Sequence, residues 1–356
     1  MTKAFEESLS LFKDKISDCI KSKKSISITT HIDCDGLTSG SIIAKALIRE
    51  GAKYTLRTSK EFSKNVVESF KTDSRDFHII TDLGGGFGKD LNQTLGDNWI
   101  ILDHHQISEE EKDNQNIINA WKYEIDGGTE ISAGGMAYFA ATALNEKNSD
   151  LSEIAIVSAL GDRQDQGDKK SFTGKNFEIA NTAKELGLVD IDLDLLLVGR
   201  ETRPLAEALA FTSQPFIEGL TWNKETCLSV LNSAGIQLKE EGRWRVPAEL
   251  NEDEKKAVIE SITKFSSDKN TSEIMSELIG YTYTFPKEDK RSFLRDGREY
   301  STMLNSCGRI NRSGVGMAIC MGDRNRILTE GENILTDYRK MIKEYMNILS
   351  NERWRI

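Results

Sequence analysis

The 356-residue sequence predicts an α/β protein: an N-terminal domain on a parallel sheet, followed by a smaller C-terminal α/β domain. Three observations predict it. Short apolar runs alternate with helical patterns through the first half, the signature of strands and crossover helices in a parallel sheet. Three of those strands run out into loops bearing Asp or His. And three of the four prolines, Pro204, Pro215 and Pro247, gather in an irregular stretch between 201 and 250, where a connection between domains is expected.

Taken in order, "MTKAFEESLSLFKDKISDCIKSKKS" places Phe5, Leu9, Phe12, Ile16 and Ile20 at helical spacing and lacks the unbroken apolar core of a signal peptide. "SISITTHI" reads as a strand and "GLTSGSIIAKALIRE" as a helix starting near Gly36. "KYTLRTS" is a second strand and "EFSKNVVESF" a helix; "DFHIITDL" and "NWIILDHH" are two further strands. From about Gly134 to Arg200 the pattern turns helical. A second domain is expected to open at "NEDEKKAVIESITKF" and to contain the strand-like "GYTYTFP", a glycine-rich turn at "CGRINRSGVGMAICMGD", and a terminal helix over the last 25 residues.

Composition limits the function. An apolar share of 38% and a charged share of 29% suit a soluble globular protein, and no run approaches ~18 apolar residues, so no membrane partner is expected. Five scattered cysteines without a CxxC pair fit neither a disulfide framework nor a thiolate zinc site and favour the reducing cytoplasm. The net charge of −10 gives no overall attraction for polyphosphate, so nucleic-acid binding must come from local basic groups or bound metal.

The polar strand ends carry the chemistry. Strand one ends in "HIDCDG" (His31, Asp33, Asp35), strand three in "TDLGGG" (Asp82), strand four in "DHH" (Asp103, His104, His105), and a later helix in "ALGDRQDQGD" (Asp162). Each alone has a plain reading: Asp before a helix is an ordinary N-cap, and a lone Asp at a strand end is a turn residue. Together, at loops that an open α/β sheet brings to one edge, these carboxylates and three of the chain's four histidines would repel one another unless cations bind among them. Imidazole with carboxylate and no thiolate suits Mn²⁺, Mg²⁺ or Zn²⁺, and the oxygen-rich set favours the harder ions. The ligands suffice for two. Asp165 reads equally as a salt-bridge partner, His78 as a structural strand histidine, and Cys34 as packing.

In this order "HIDCDG", "TDLG", "DHH" and "GDRQD" resemble motifs I to IV of the DHH phosphoesterase family, which includes RecJ-type exonucleases, oligoribonucleases and family II pyrophosphatases. The resemblance spans about residues 25–170, and "ISAGGMAYFAATAL" is similar to the helix that follows motif III in RecJ-like proteins. With the boundaries read above, residues 1–200 become the catalytic domain, 201–250 the connection, and 251–356 what the resemblance implies is a DHH-associated substrate domain. "CGRINRSGVG" stands where that domain usually carries a GGxHxxAAG-type loop. The missing histidine is closest to the archaeal RecJ-like group, some of whose members associate with the GINS complex.

The resemblance implies that His31 and Asp33 bind a first ion, that Asp82 bridges, and that Asp35, His104 and Asp162 hold a second. Mn²⁺ is the first choice and Mg²⁺ the alternative. His105 would face the scissile phosphate, with Asp103 orienting a histidine and Arg309 gripping the phosphate. Asn305, Arg298 and Gly308 are the remaining substrate-binding candidates. Nine Lys/Arg against five acids between 286 and 326 give a local +4, as a phosphate-facing surface or a merely solvated charged face would. Tyr281, Tyr283, Phe285 and Tyr300 read as core or sheet surface rather than as a base-stacking platform.

The expected function is a two-metal-ion phosphodiesterase, a RecJ-like exonuclease specific for single-stranded nucleic acid in DNA replication or repair. The rivals are a nanoRNase or nucleotide bisphosphate phosphatase of the same family, and a GINS-binding replisome scaffold with weak or no nuclease activity.

Overall fold

The computed structural model describes residues 2–266 and 271–351, and it falls into two compact units. The first is built by residues up to Asp165, by Phe172–Leu186 and by the chain from Ser301 onward; the second by Gln166–Ser171 and Gly187–Tyr300.

In the first unit the chain runs α1 (Lys3–Lys21), β1 (Ser25–His31), α2 (Cys34–Arg49), β2 (Lys53–Ser59), α3 (Lys64–Ser69), β3 (Phe77–Thr81), α4 (Gly88–Leu95), β4 (Trp99–Asp103), β5 (Ile117–Asn119), α5 (Ala133–Leu144), α6 (Ser152–Gly161) and α7 (Gly174–Glu185). The five strands form one parallel sheet in the order β2-β1-β3-β4-β5. "FHIIT" of β3 and "WIILD" of β4 are buried at every position, as strands covered on both faces must be. One face packs Ile80, Trp99, Ile101 and Ile117 against Val67, Phe70 and Leu91 from the α3–α4 side. On the other, α2 lies over β1 and β2, and α5 packs against α2, α1 and β4. The helical spacing read in α1 is realised: Phe5, Leu9, Phe12 and Ile16 are buried.

This strand order places the site. Chain order reverses between β1 and β3, and in open α/β sheets the crevice at the carboxyl ends opens at that switch point. His31 ends β1, Asp82 follows β3, and Asp103 ends β4.

The second unit contains β6 (Asp190–Leu195), α8 (Leu205–Phe211), α9 (Lys224–Ser233), the short hairpin β7 (Lys239–Glu240) and β8 (Arg243–Trp244), α10 (Glu252–Phe265), α11 (Thr271–Leu278) and β9 (Ile279–Thr284), which pairs antiparallel with β6. The boundaries expected at 200 and 251 differ from those the packing draws. Leu205, Leu209, Ile217, Leu220, Leu231 and Leu250 share one core with Val258, Ile262 and Leu278, so 201–250 is the interior of a domain and no connector. Its prolines punctuate elements: Pro204 precedes α8 and Pro247 opens a short 3₁₀ turn.

The chain then forms α12 (Gly297–Arg309), α13 (Ser313–Met321) and α14 (Arg326–Asn351). From Ser301 onward it belongs to the first unit, where α13 packs on α2. The glycine-rich turn expected at "CGRINRSGVGMAICMGD" is therefore two helices and the bend between them; Gly308 and Gly316 allow close packing inside helices instead of making a loop. Among the described residues, no helix is long and apolar enough to cross a membrane.

Candidate metal centre

Asp33 caps α2 by accepting from the Gly36 N–H at 3.0 Å, which turns the chain so that His31, Asp33 and Asp35 meet the ends of β3 and β4. Asp82 sits immediately past β3 with φ of +62°, a left-handed conformation that a short polar side chain tolerates better than most. Asp162 follows the last turn of α6.

The ligand atoms converge in three overlapping triads, each with its atoms within 4.8 Å of one another: His31–Asp33–Asp82, Asp35–His104–Asp162, and Asp82–His104–His105. Asp82 is shared, one oxygen facing each way: Oδ2 lies 3.6 Å from His31 Nδ1, and Oδ1 lies 3.4 Å from His104 Nε2 and 3.7 Å from His105 Nδ1. His104 Nε2 is also 3.2 Å from Asp35 Oδ2 and 3.8 Å from Asp162 Oδ2, while His31 Nδ1 is 2.8 Å from Asp33 Oδ2.

A divalent cation fits this donor set. Asp82 Oδ2 and His104 Nε2 are buried and have no hydrogen-bond partner, and both aim into the cluster. Such orphans are costly unless something unprotonated or cationic completes them. The titration behaviour has the same cause. Burial, reinforced by Asp82 and Asp162, pushes the Asp35 carboxyl up to about 8, and burial likewise raises Asp82. Hydrogen bonding to Asp33 and Asp82 pushes His31 up to about 10. For His104 burial acts downward, but Asp82 and Asp35 win and raise it. Without a cation, the cluster retains protons in its place.

Asp103 and His105 differ from the rest. Asp103 is buried; its Oδ1 accepts from the backbone N–H of His104 at 2.8 Å and lies 2.8 Å from His105 Nδ1. His105 itself is 60% exposed, so it is held from behind with its ring open to solvent. Burial works against the Asp103 carboxylate, but His105 keeps its pKa below the usual range and thus keeps it charged.

The substrate-binding candidates fare unequally. Gly308 and Asn305 come from α12 to the back of the ligand loop. A Cβ on Gly308 would stand 1.7 Å from the Ile32 carbonyl oxygen, and Asn305 Oδ1 accepts from the Cys34 N–H at 2.9 Å. Asn305 is thus occupied in holding the segment between Asp33 and Asp35. Arg309 is exposed beside Gly308. Arg298 belongs to the second unit, where it donates to the Tyr281 carbonyl and lies over the Tyr283 ring.

The +4 segment is largely committed internally: Arg291 to Glu249, Arg295 to the Pro286 and Glu288 carbonyls, Arg312 to Glu330, and Arg324 to the Ile319 carbonyl. A guanidinium with five donors is readily used up this way. Tyr283, Phe285 and Tyr300 are buried as expected, His78 is a buried strand residue against Phe70, and Cys34 is buried.

Several supporting residues have no local signal. Asp35 accepts from the Ala133 and Gly134 N–H groups at the start of α5, at 2.8 and 2.9 Å, and from Ser158. The Gly127 carbonyl meets His104 Nδ1 at 2.6 Å, and Gln164 donates to that same carbonyl. The run "ISAGG" marks a helix start, but nothing in it announces a carboxylate from 98 residues earlier.

Residues 25–161 match the model of the DHH family, N-terminal domain, and residues 197–279 match the DHH-CID domain. The chain carries a DHH-family N-terminal domain and a DHH-CID domain. An uncharacterized protein of Methanocaldococcus jannaschii is 29% identical over 350 residues, covering 94% of this chain and 74% of the relative. Among solved structures, CDC45 from Entamoeba histolytica aligns over 97% of this chain and 74% of its own, at 15% identity and a TM-score of 0.69. An exonuclease RecJ bound to manganese aligns over 97% and 68%, at 13% identity and a TM-score of 0.55. RecJ of Thermus thermophilus in complex with Mn²⁺ aligns over 99% of this chain but only 40% of its own, at 13% identity and a TM-score of 0.54. At these identities the likeness is one of fold, shared by this DHH chain with both kinds of protein.

Proposed function

We propose that this DHH protein is a divalent-cation-dependent phosphodiesterase, a RecJ-like exonuclease acting on single-stranded nucleic acid in replication or repair. The observation that carries this reading is Asp82, shared between the His31–Asp33–Asp82 and Asp82–His104–His105 triads, with its Oδ2 and His104 Nε2 buried without a partner. His31 and Asp33 would hold one ion with Asp82, and Asp35, His104 and Asp162 the other; Mn²⁺ is the first candidate. When bound, such a pair supplies Lewis-acid activation of water and phosphate. The chain's own residues do the rest. Asp103, kept charged, holds the exposed His105 ring toward solvent, where it donates a hydrogen bond to a phosphate oxygen. Arg309 is exposed beside the ligand loop, and its guanidinium suits a second phosphate contact.

The test is digestion of end-labelled DNA and RNA strands with Mn²⁺ or Mg²⁺. Wild type is expected to shorten a long single strand and Asp82→Asn to leave it intact, with His105→Ala slower by about 10²-fold or more. Cleavage confined to substrates of a few nucleotides would favour the nanoRNase reading. Equal activity in wild type and Asp82→Asn overturns the proposal. A second reading, a replisome scaffold of the GINS-binding kind, draws support from the fold likeness to CDC45. Retention of GINS by a nuclease-dead Asp82→Asn variant would bear it out.

A further inference from the structure

We propose that Gln164 is the positioning residue of the Asp35–His104–Asp162 cation site, its buried carboxamide setting two of the three ligands at once. This rests on the cation-binding reading above and goes beyond the ligand set.

Gln164 is wholly buried just past α6, where the chain reverses at Arg163 with φ of +57°. Its Nε2 lies 2.9 Å from the Gly127 carbonyl, 3.1 Å from the Ile131 carbonyl and 3.0 Å from Asp162 Oδ2. Two carbonyls and a carboxylate, which only accept, make that end the NH₂, and the other end, Oε1, accepts from Asn176 Nδ2 at 2.6 Å. Asn176 is itself buried on α7. Two N–H bonds thus face three acceptors, and one acceptor is a cation ligand.

The Gly127 carbonyl carries the effect to the second ligand. It receives both Gln164 Nε2 and, at 2.6 Å, His104 Nδ1, filling its two lone pairs. With Nδ1–H donating, Nε2 is the nitrogen a neutral His104 offers to a cation, and that is the atom buried without a partner beside Asp35 and Asp162. The loop reaches His104 only as glycine, since a Cβ on Gly127 would stand 1.8 Å from the His104 carbonyl oxygen. Gln164 therefore holds the imidazole in its ligating tautomer through Gly127 and holds Asp162 directly. Partners of this kind are worth about 10–100-fold in metal affinity.

The test is a Mn²⁺ titration of the full chain, read by calorimetry and by the electron paramagnetic resonance of free and bound ion. Wild type, Gln164→Met and Asn176→Leu are compared, with cation-free melting measured alongside. Wild type is expected to bind two ions and to show the exchange-coupled two-manganese signal. Gln164→Met should keep one affinity unchanged, weaken the other by about 10–100-fold, and lose the coupled signal at concentrations that saturate wild type. Asn176→Leu should weaken the same ion. A role in packing alone would lower the melting temperature and leave both affinities, and that result overturns the proposal. So does equal loss of both ions in a folded Gln164→Met. Should Gln164→Met not fold, Asn176→Leu decides alone, and unchanged affinities there overturn it. A wild type that binds no Mn²⁺ fails differently: it removes the cation-binding reading itself.

Discussion

Gly308 in α12 has no room for a methyl group. Its Cβ would lie 1.7 Å from the Ile32 carbonyl oxygen and 2.8 Å from the Ile32 carbonyl carbon, against a floor of 3.0 Å for real Cβ contacts. Both offending atoms are backbone, so Gly308→Ala must move α12 or the Ile32–Cys34 segment by at least the difference, about 1.3 Å. A shift of that size breaks the 2.9 Å bond from the Cys34 N–H to Asn305 and carries Asp33 away from His31. Overpacking costs ~1–3 kcal/mol and the unmade hydrogen bond ~1 kcal/mol, against a gain of at most ~1 kcal/mol in helix propensity. The net is a loss of about 1–3 kcal/mol, or roughly 2–10 °C in melting temperature. Gly314→Ala is the control: it also lies in a helix, but a Cβ there meets nothing within 4 Å. Thermal unfolding of the two variants, with Mn²⁺ titration, measures the difference. Gly308→Ala is expected to melt low and bind Mn²⁺ weakly, and Gly314→Ala to match or exceed wild type. If both melt alike, the contact of α12 with the ligand loop is not what the structure indicates.

Three further outcomes follow from the same geometry. Saturating Mn²⁺, at about 100 times Kd, stabilises by ~2.7 kcal/mol per ion, so Asp162→Asn should lose one such increment in a melting assay and Asp82→Asn, whose carboxylate is shared, both; a full shift in Asp82→Asn would refute the sharing. His31 titrates near about 10 without a cation and must release its proton to ligate, so Mn²⁺ affinity should rise about tenfold per unit between roughly pH 6 and 8, and calorimetry finding it flat would contradict this. In the second unit, burial opposes the Asp194 carboxylate, but Lys255 at 2.9 Å and Arg200 at 2.6 Å hold its pKa below the ordinary value. A depressed folded pKa stabilises above the unfolded value of ~3.9 and is lost as pH falls through the folded one. Asp194→Ala should therefore cost about 3 kcal/mol near neutrality, and denaturant melts should show the gap closing below about pH 4.

The amino-acid sequence by itself determined the parallel sheet and the residues that gather at the candidate cation site. Both are local signals: continuous apolar runs for strands buried on two faces, and Asp or His at each strand's carboxyl end, where an open sheet must place its crevice. Tertiary structure decided what holds those residues and where the units divide. Asp35 depends on the first N–H groups of α5, His104 on the Gly127 carbonyl, and the Ile32–Cys34 loop on Asn305, 271 residues beyond Cys34, and Gly308. The prolines at 204–247 read as a connector because proline marks ends of elements equally well inside a domain and between two. The arginines of 286–326 read as a surface because composition does not reveal which carbonyls and carboxylates will take up their donors. Local pattern reports which groups lie at a chain's turns. Only three-dimensional packing selects their partners, because a hydrogen bond depends on distance in space and not along the chain.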